Sequence, residues 1–242
     1  MYHNDIEIKE GAFFISDAHY SHLRPELLTL FSQIDTDKLK PSQLFLMGDI
    51  FDALFGYAKH TCEVNAQMIK LLNSISKKIE VIYLEGNHDF NLTPIFKDIK
   101  VFTIQNQPLR CRYKDKVVYL AHGDFISPLG YKIYTSIIRN PSLLYILNFF
   151  DRKFGDIILK KVDSYLSKKD DCKEFSGFKE YIQKRALERY ECDYFIEGHF
   201  HQNRSFEFEK FNYINLGAFA CNQRYFIVKS SQDKELLEEK TL

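Results

Sequence analysis

Leu44-Phe45-Leu46-Met47-Gly48-Asp49-Ile50-Phe51-Asp52 runs from four apolar residues into a glycine and then two acids. A continuous apolar run of this length suits a strand covered on both faces. The glycine lets the backbone turn sharply, and the acids fall where an α/β sheet presents its strand ends and builds its sites. The same construction recurs on both sides of this stretch. Ala12-Phe13-Phe14-Ile15 leads to Asp17-Ala18-His19, and Val81-Ile82-Tyr83-Leu84 to Gly86-Asn87-His88-Asp89. Val117-Val118-Tyr119-Leu120 leads to His122-Gly123-Asp124, and Tyr194-Phe195-Ile196 to Gly198-His199-Phe200-His201. Apolar runs that each stop at metal-preferring side chains predict an α/β fold with its site along the strand ends.

Between the predicted strands lie helical patterns at residues 25–31, with Pro25 in a tolerated first-turn position, and at 63–74. The second pattern puts Val64, Met68, Leu71 and Leu72 on one side. From 202 to 229 the sequence alternates and predicts antiparallel strands around Phe206-Glu207-Phe208, Tyr213-Ile214 and Tyr225–Val228. The charged stretch 233–240 reads as a helical or frayed tail. Residues 128–190 differ from the rest, with helical patterning and no metal-type motif. Within 131–190 there are 13 Lys/Arg and 8 Asp/Glu, so 13 − 8 gives +5 in an otherwise neutral chain. The expected organisation is a core of residues 1–127 and 191–242 with a helical insertion at 128–190.

The chain has 242 residues, 45% of them apolar and 15% aromatic, enough for one large α/β domain. Its 33 basic and 33 acidic residues cancel, which argues against a nucleic-acid partner. Cys62, Cys111, Cys172, Cys192 and Cys221 show no C-x-x-C spacing, so reduced thiols are expected rather than a disulfide frame or zinc ribbon. Residues 1–10 are polar and acidic, unlike a cleavable signal. No apolar stretch reaches the roughly 18 to 20 residues that span a bilayer. A soluble or peripherally attached protein is expected.

The clusters supply carboxylate, amide-carbonyl and imidazole groups, the donors that hard divalent ions such as Mn²⁺ accept. Asp49 has two carboxylate oxygens with which to bridge two ions. Two ions side by side are the machinery of phosphoester hydrolysis. Each motif alone is weak, since a lone Gly-Asp or His-Gly-Asp is more often a turn; it is their succession at strand ends that points to metal. Asp52 and Asp89 are expected to orient neighbouring ligands or cap a turn rather than bind an ion. His3, His22 and His60 have no such company and read as surface histidines.

In this order the motifs D-x-H, G-D-x-x-D, G-N-H-D, H-G-D and G-H-x-H resemble the calcineurin-like metallophosphoesterases. The resemblance implies a four-layer α/β-β-α sandwich. It implies two divalent ions, expected to be Mn²⁺. Asp17, His19, Asp49 and His201 would hold one ion, and Asp49, Asn87, His122 and His199 the other, with Asp49 bridging. His88 resembles the family's catalytic histidine, so Asp49 and His88 are the catalytic candidates. Phe200 stands where the last motif usually carries a small hydroxyl residue, so packing there must differ.

A closer similarity joins Phe14-Ile15-Ser16-Asp17, Arg24-Pro25, Leu46-Met47-Gly48-Asp49-Ile50-Phe51-Asp52, Gly86-Asn87-His88-Asp89-Phe90 and Arg139-Asn140-Pro141. These resemble the UDP-2,3-diacylglucosamine hydrolases of lipid A biosynthesis, which release UMP and 2,3-diacylglucosamine 1-phosphate. The best-known members carry Arg where this chain has His88, which suggests a divergent type. The resemblance implies a cap over the acyl chains and an acylated nucleotide-sugar substrate. It also implies peripheral contact with the anionic cytoplasmic face of the inner membrane. Tyr131, Arg139, Arg152 and Lys153 are candidate substrate contacts. Ser142-Leu143-Leu144-Tyr145-Ile146-Leu147-Asn148-Phe149-Phe150 is apolar on almost every helical face and must be buried in protein, ligand or membrane interface. Lys160 and Lys161 could meet phosphates or anionic headgroups. The alternatives are a phosphodiesterase or phosphatase for a soluble nucleotide or phosphoprotein, and a scaffold that has lost catalysis. The apolar insertion argues against the first, and the full ligand set against the second.

Overall fold

The computed structural model describes residues 5–153, 157, 172–229 and 236–242. Two six-stranded sheets face one another. In one, Phe13–Ile15, Gln43–Leu46, Glu80–Leu84 and Lys100–Phe102 run parallel, and Arg224–Val228 and Leu237–Thr241 add antiparallel strands beside Phe13–Ile15. In the other, Lys116–Ala121, Tyr194–Glu197 and Asn212–Asn215 run parallel. Leu109–Tyr113 and Arg204–Glu207 flank that trio in the antiparallel sense, and Ile6–Glu7 lies outermost beside Leu109–Tyr113.

The two-residue period of a strand sorts the apolar runs into layers. Phe14, Phe45, Ile82 and Leu84 point between the sheets, where they meet Val118, Leu120 and Ile196. Phe14 and Phe45 stack with ring centroids 4.5 Å apart. Phe13, Ile15, Leu44, Leu46, Val81 and Tyr83 point the other way, onto Glu26–Asp35 and Ala66–Ile75. Leu27, Leu30, Phe31 and Ile34 give the first helix its core-facing stripe, at i, i+3, i+4 and i+7. Phe195 and Tyr213 cover the far face of the second sheet together with Phe178, Ile182 and Leu187 from the helix Phe178–Lys184 and the turn after it. The result is the expected α/β-β-α sandwich.

Three expectations are corrected. The predicted helix at 63–74 is two helices, Lys59–Val64 and Ala66–Ile75. Asn65 breaks it, donating through Nδ2 to the carbonyls of Ala53 (2.9 Å) and Thr61 (2.8 Å), a local competition that periodicity does not reveal. Val64 consequently faces outward. The tail at 233–240 is in its described part an edge strand, Leu237–Thr241. Its charges face out, with Glu238 near Lys229 and Lys240, while Leu237 is buried. Finally, Cys172 and Cys221 form a disulfide across 49 residues of sequence, leaving Cys62, Cys111 and Cys192 free. Only folding brings that pair together, so spacing gives no sign of it.

Two helices, Leu129–Ile138 and Pro141–Lys153, follow the fourth motif. The second carries the apolar stretch, yet Tyr145 is 67% exposed, Phe149 59% and Phe150 50%, with Ile146 and Leu147 also exposed. The described protein therefore does not bury it, because Leu144 alone among those apolar side chains turns fully inward. No helix among the described residues is long and apolar enough to cross a membrane. The Arg152 side chain, Lys160, Lys161 and His3 lie outside the described residues.

Two outcomes follow from the packing. Phe45→Ala should lower unfolding stability by about 3–5 kcal/mol, because it empties a site between the sheets; a loss below about 1 kcal/mol in denaturant titration would contradict the assignment. A thiol-alkylating reagent should label three cysteines in the unreduced, denatured chain and five after reduction, by intact mass.

Candidate metal centre

The five motifs meet at the edge where parallel strands of both sheets end. Asp17, His19 and His201 form one group whose ligand atoms all lie within 4.8 Å of one another; Asp49, His122 and His199 form a second, and His19, Asp52 and His88 a third. In the first, His201 Nε2 is 3.1 Å from Asp17 Oδ1. In the second, His122 Nε2 is 3.4 Å from Asp49 Oδ2, 3.2 Å from His199 Nδ1 and 3.3 Å from Asn87 Oδ1. His19 links the first group to the third through its 3.4 Å approach to Asp52 Oδ1. The seven sequence-predicted ligands thus lie together in one region, Asp17, His19, Asp49 and His122 buried and Asn87, His199 and His201 half-buried, with His88 and Asp52 beside them.

The backbone has been bent to achieve this. Asp17, His19, Asp49, His199 and His201 all have φ between +44° and +62°, the left-handed region that non-glycine residues rarely occupy. Strain of this kind persists where the surroundings over-determine it and is concentrated at functional sites. Two glycines are dictated by close approach. A Cβ on Gly48 would sit 2.4 Å from His122 Nδ1, and one on Gly86 2.2 Å from Asp49 Oδ1.

Hydrogen bonds orient the donors. His122 Nδ1 lies 3.0 Å from the Met47 carbonyl, an acceptor only, so Nδ1 carries the proton and Nε2 faces Asn87 and His199. His88 Nδ1 is held likewise by the Asp52 carbonyl at 2.9 Å. Asp17 accepts from the His199 backbone N–H at 2.9 and 3.1 Å and from the Ser16 hydroxyl. Asp89 accepts from the N–H groups of Asp49, Ile50, Phe51 and Gly86 and from the Tyr83 hydroxyl, so it fastens the second motif to the third. This fits the orienting role expected of it.

The donor set fits divalent metal ions. It consists of carboxylates, imidazoles and an amide oxygen, the mixture that hard to borderline divalent ions take. His19 is buried with neither ring nitrogen in a hydrogen bond, an arrangement that is costly unless a further partner is bound. Burial and the nearby His122 hold His199 at about 3, so its ring is neutral and offers a lone pair. Burial opposes charge on Asp17, but His201 and His122 outweigh it and draw the carboxyl down to about 2. His122 behaves differently, since the Asp49 carboxylate overcomes burial and raises it well above its ordinary value.

The other candidates are placed as follows. Arg139 is buried at the end of Leu129–Ile138; its Nη2 donates to the Gly86 carbonyl at 2.7 Å and its Nη1 is 3.4 Å from Glu85 Oε2. Its own carbonyl accepts from Asn91 Nδ2 at 2.8 Å. Tyr131 is half-buried, and burial pushes its hydroxyl up to about 12. Lys153 is exposed and outside the metal groups. His22 is exposed and His60 half-buried. Sequence reading missed the buried acids Glu85 and Glu197 at 1% and 0% exposure, and Arg185, which pairs with the second. The legible signal was an acid closing an otherwise apolar strand.

A strained cluster of Asp, His and Asn at the strand ends of a two-sheet sandwich defines the metal-dependent phosphoesterase class. The calcineurin-like phosphoesterase family matches residues 12–203, and the chain belongs to that family. It is a metallophosphoesterase, and so a hydrolase. Among curated relatives, UDP-2,3-diacylglucosamine hydrolase of Haemophilus influenzae (strain PittGG) is 26% identical over 219 residues, covering 87% of this chain and 91% of that one. The protein of the same name from Histophilus somni (strain 129Pt) is 24% identical over 195 residues, covering 78% and 83%. A solved structure described as an archaeal phosphodiesterase superposes with a TM-score of 0.50 at 13% identity, covering 96% of this chain and 99% of the other, a likeness of fold.

Because His122 sits above its ordinary value, an ion that took its Nε2 as a ligand would displace a proton. The raised value means that the His122–Asp49 attraction stabilises the metal-free fold fully below pH of about 6.5 and fades as pH rises through the folded value. Metal binding runs the other way. Mn²⁺ affinity should rise between about pH 6 and about pH 8, with proton uptake by buffer visible in calorimetry across buffers of different ionisation enthalpy. Buffer-independent heats would contradict this.

Proposed function

We propose that the protein hydrolyses the pyrophosphate of UDP-2,3-diacylglucosamine to UMP and 2,3-diacylglucosamine 1-phosphate, with two Mn²⁺ ions bound. Asp17, His19, Asp49 and His201 are the ligands of one ion. Asp49, Asn87, His122 and His199 are those of the other. Bound there, the ions would acidify water and screen charge on the phosphoryl oxygens. The chain's own residues position the reaction. His88, with Nδ1–H on the Asp52 carbonyl, keeps Nε2 for a phosphoryl oxygen, where its imidazolium form donates a hydrogen bond or hands a proton to the departing phosphate. Asp52 and Asp89 hold the loops that carry these groups.

The observation that carries the choice of substrate is the exposed apolar face of Pro141–Lys153, joined to the site through Arg139. Arg139 ends the preceding helix and grips Gly86, next to Asn87 and His88. Uncovered Tyr145, Ile146, Phe149 and Phe150 amount to the kind of contiguous apolar patch that marks a ligand or membrane contact. A soluble nucleotide needs none of it, whereas acyl chains do. On this reading residues 128–190 are the cap, Tyr131, Arg139, Arg152 and Lys153 are candidate substrate contacts, and the protein works at the cytoplasmic face of the inner membrane. The relatives' shared name supports the same substrate.

Purified protein with Mn²⁺ should release UMP from UDP-2,3-diacylglucosamine and not from UDP-sugars lacking acyl chains. Equal release from both would move the assignment to a soluble-nucleotide phosphodiesterase. Asp49→Ala should lose most of the activity together with bound metal. Tyr145→Ser combined with Phe149→Ser should raise KM for the acylated substrate while stability changes by only about 0.5 kcal/mol per site, as expected of exposed positions.

A further inference from the structure

Arg185 closes the helix Phe178–Lys184 and is 6% exposed. Its Nη1 pairs with Glu197 Oε2, which also accepts from the Tyr213 hydroxyl at 2.9 Å. Its Nη2 donates to the Gly123 carbonyl at 2.7 Å. The guanidinium lies 5.1 Å from the Phe200 ring centroid and 5.5 Å from that of Phe125. Gly123 directly follows His122, Glu197 precedes Gly198-His199, and Phe200 separates His199 from His201. One side chain therefore grips two of the loops that carry the second group of ligands, those of His122 and His199. Those loops also touch directly, through the Gly198 N–H on the His122 carbonyl at 2.9 Å.

A buried ion pair is weak evidence for stability, since replacing both partners by apolar groups is often neutral. The planar fork of arginine, in contrast, fixes two acceptors in one geometry. The π-faces of Phe200 and Phe125 hold the fork in place. Phe200 thereby gains a purpose for its departure from a small hydroxyl residue.

We propose that Arg185 is a positioning residue for the His122/His199 half of the metal centre, holding the two ligand loops at the spacing that one ion needs. The inference rests on the two-metal reading above. Groups that orient metal ligands typically change affinity by about 10–100-fold when removed.

The test is Mn²⁺ titration of the full-length protein by calorimetry, with electron paramagnetic resonance to detect coupling between paired ions. Arg185→Met should weaken one of the two binding events by about 10–100-fold, weaken the other far less and diminish the coupled signal. Arg185→Met with Glu197→Leu removes the buried charges together, so its metal-free Tm should stay near wild type while the same binding event remains weak. Arg185→Lys keeps a charge opposite Glu197 without the fork and should recover only part of the affinity. Parallel weakening of both ions in step with a lower metal-free Tm would make Arg185 merely structural and overturn the proposal. So would wild-type titrations in all three variants. His199→Ala serves as the reference: if it still bound two ions with wild-type affinity, the two-metal assignment itself would fall, and this inference with it.

Discussion

The carboxylate of Asp89 fixes the geometry on which the site depends. Its oxygens accept from three successive backbone N–H groups of the second motif, at 2.6 to 3.2 Å, and from Gly86 and Tyr83. Successive N–H groups turned toward one anion form a nest that needs the unusual backbone Asp49 adopts. With that loop fastened, Asp49 Oδ1 receives the His88 N–H at 2.8 Å and Asp49 Oδ2 faces His122. A carboxylate that binds nothing but protein thus sets the position of those that would bind metal.

The same logic repeats at the outer edge of the centre. Glu85 follows the last residue of one parallel strand and Glu197 ends another, one in each sheet, just before the glycine of a motif, and each is buried beside an arginine from the 128–190 stretch. Arg139 reaches the Gly86 carbonyl and Arg185 the Gly123 carbonyl. The helices that follow the fourth motif and the helix that leads back toward the fifth are therefore tied to ligand loops by buried, forked hydrogen bonds. Motion of those helices would be felt at the loops that carry Asn87, His122 and His199.

Much of this was legible in one dimension. The alternation of Phe13, Phe14 and Ile15 between two cores and the clusters at the strand ends follow from strand periodicity and from the chemistry of Asp, His and Asn. The split at Asn65 was not, because a side chain bonding to Ala53 from twelve residues away leaves no periodic trace. Nor was the disulfide between Cys172 and Cys221 or the strand at Leu237–Thr241, whose partners are supplied by folding. Arg185 resembled any lysine or arginine on a charged helix until packing enclosed it.

By itself the sequence determined the kind of fold and the kind of chemistry, because both are written in local patterns: apolar runs of strand length, and donor types set at their ends. The tertiary structure alone decided which donors share a group, which rings turn which nitrogen inward, and which charges are buried. Those are properties of distance and burial between segments far apart in the chain, 182 residues in the case of Asp17 and the His199 N–H. Closing such long loops is driven by the core between the sheets, which carries no metal ligand but brings the ligands together.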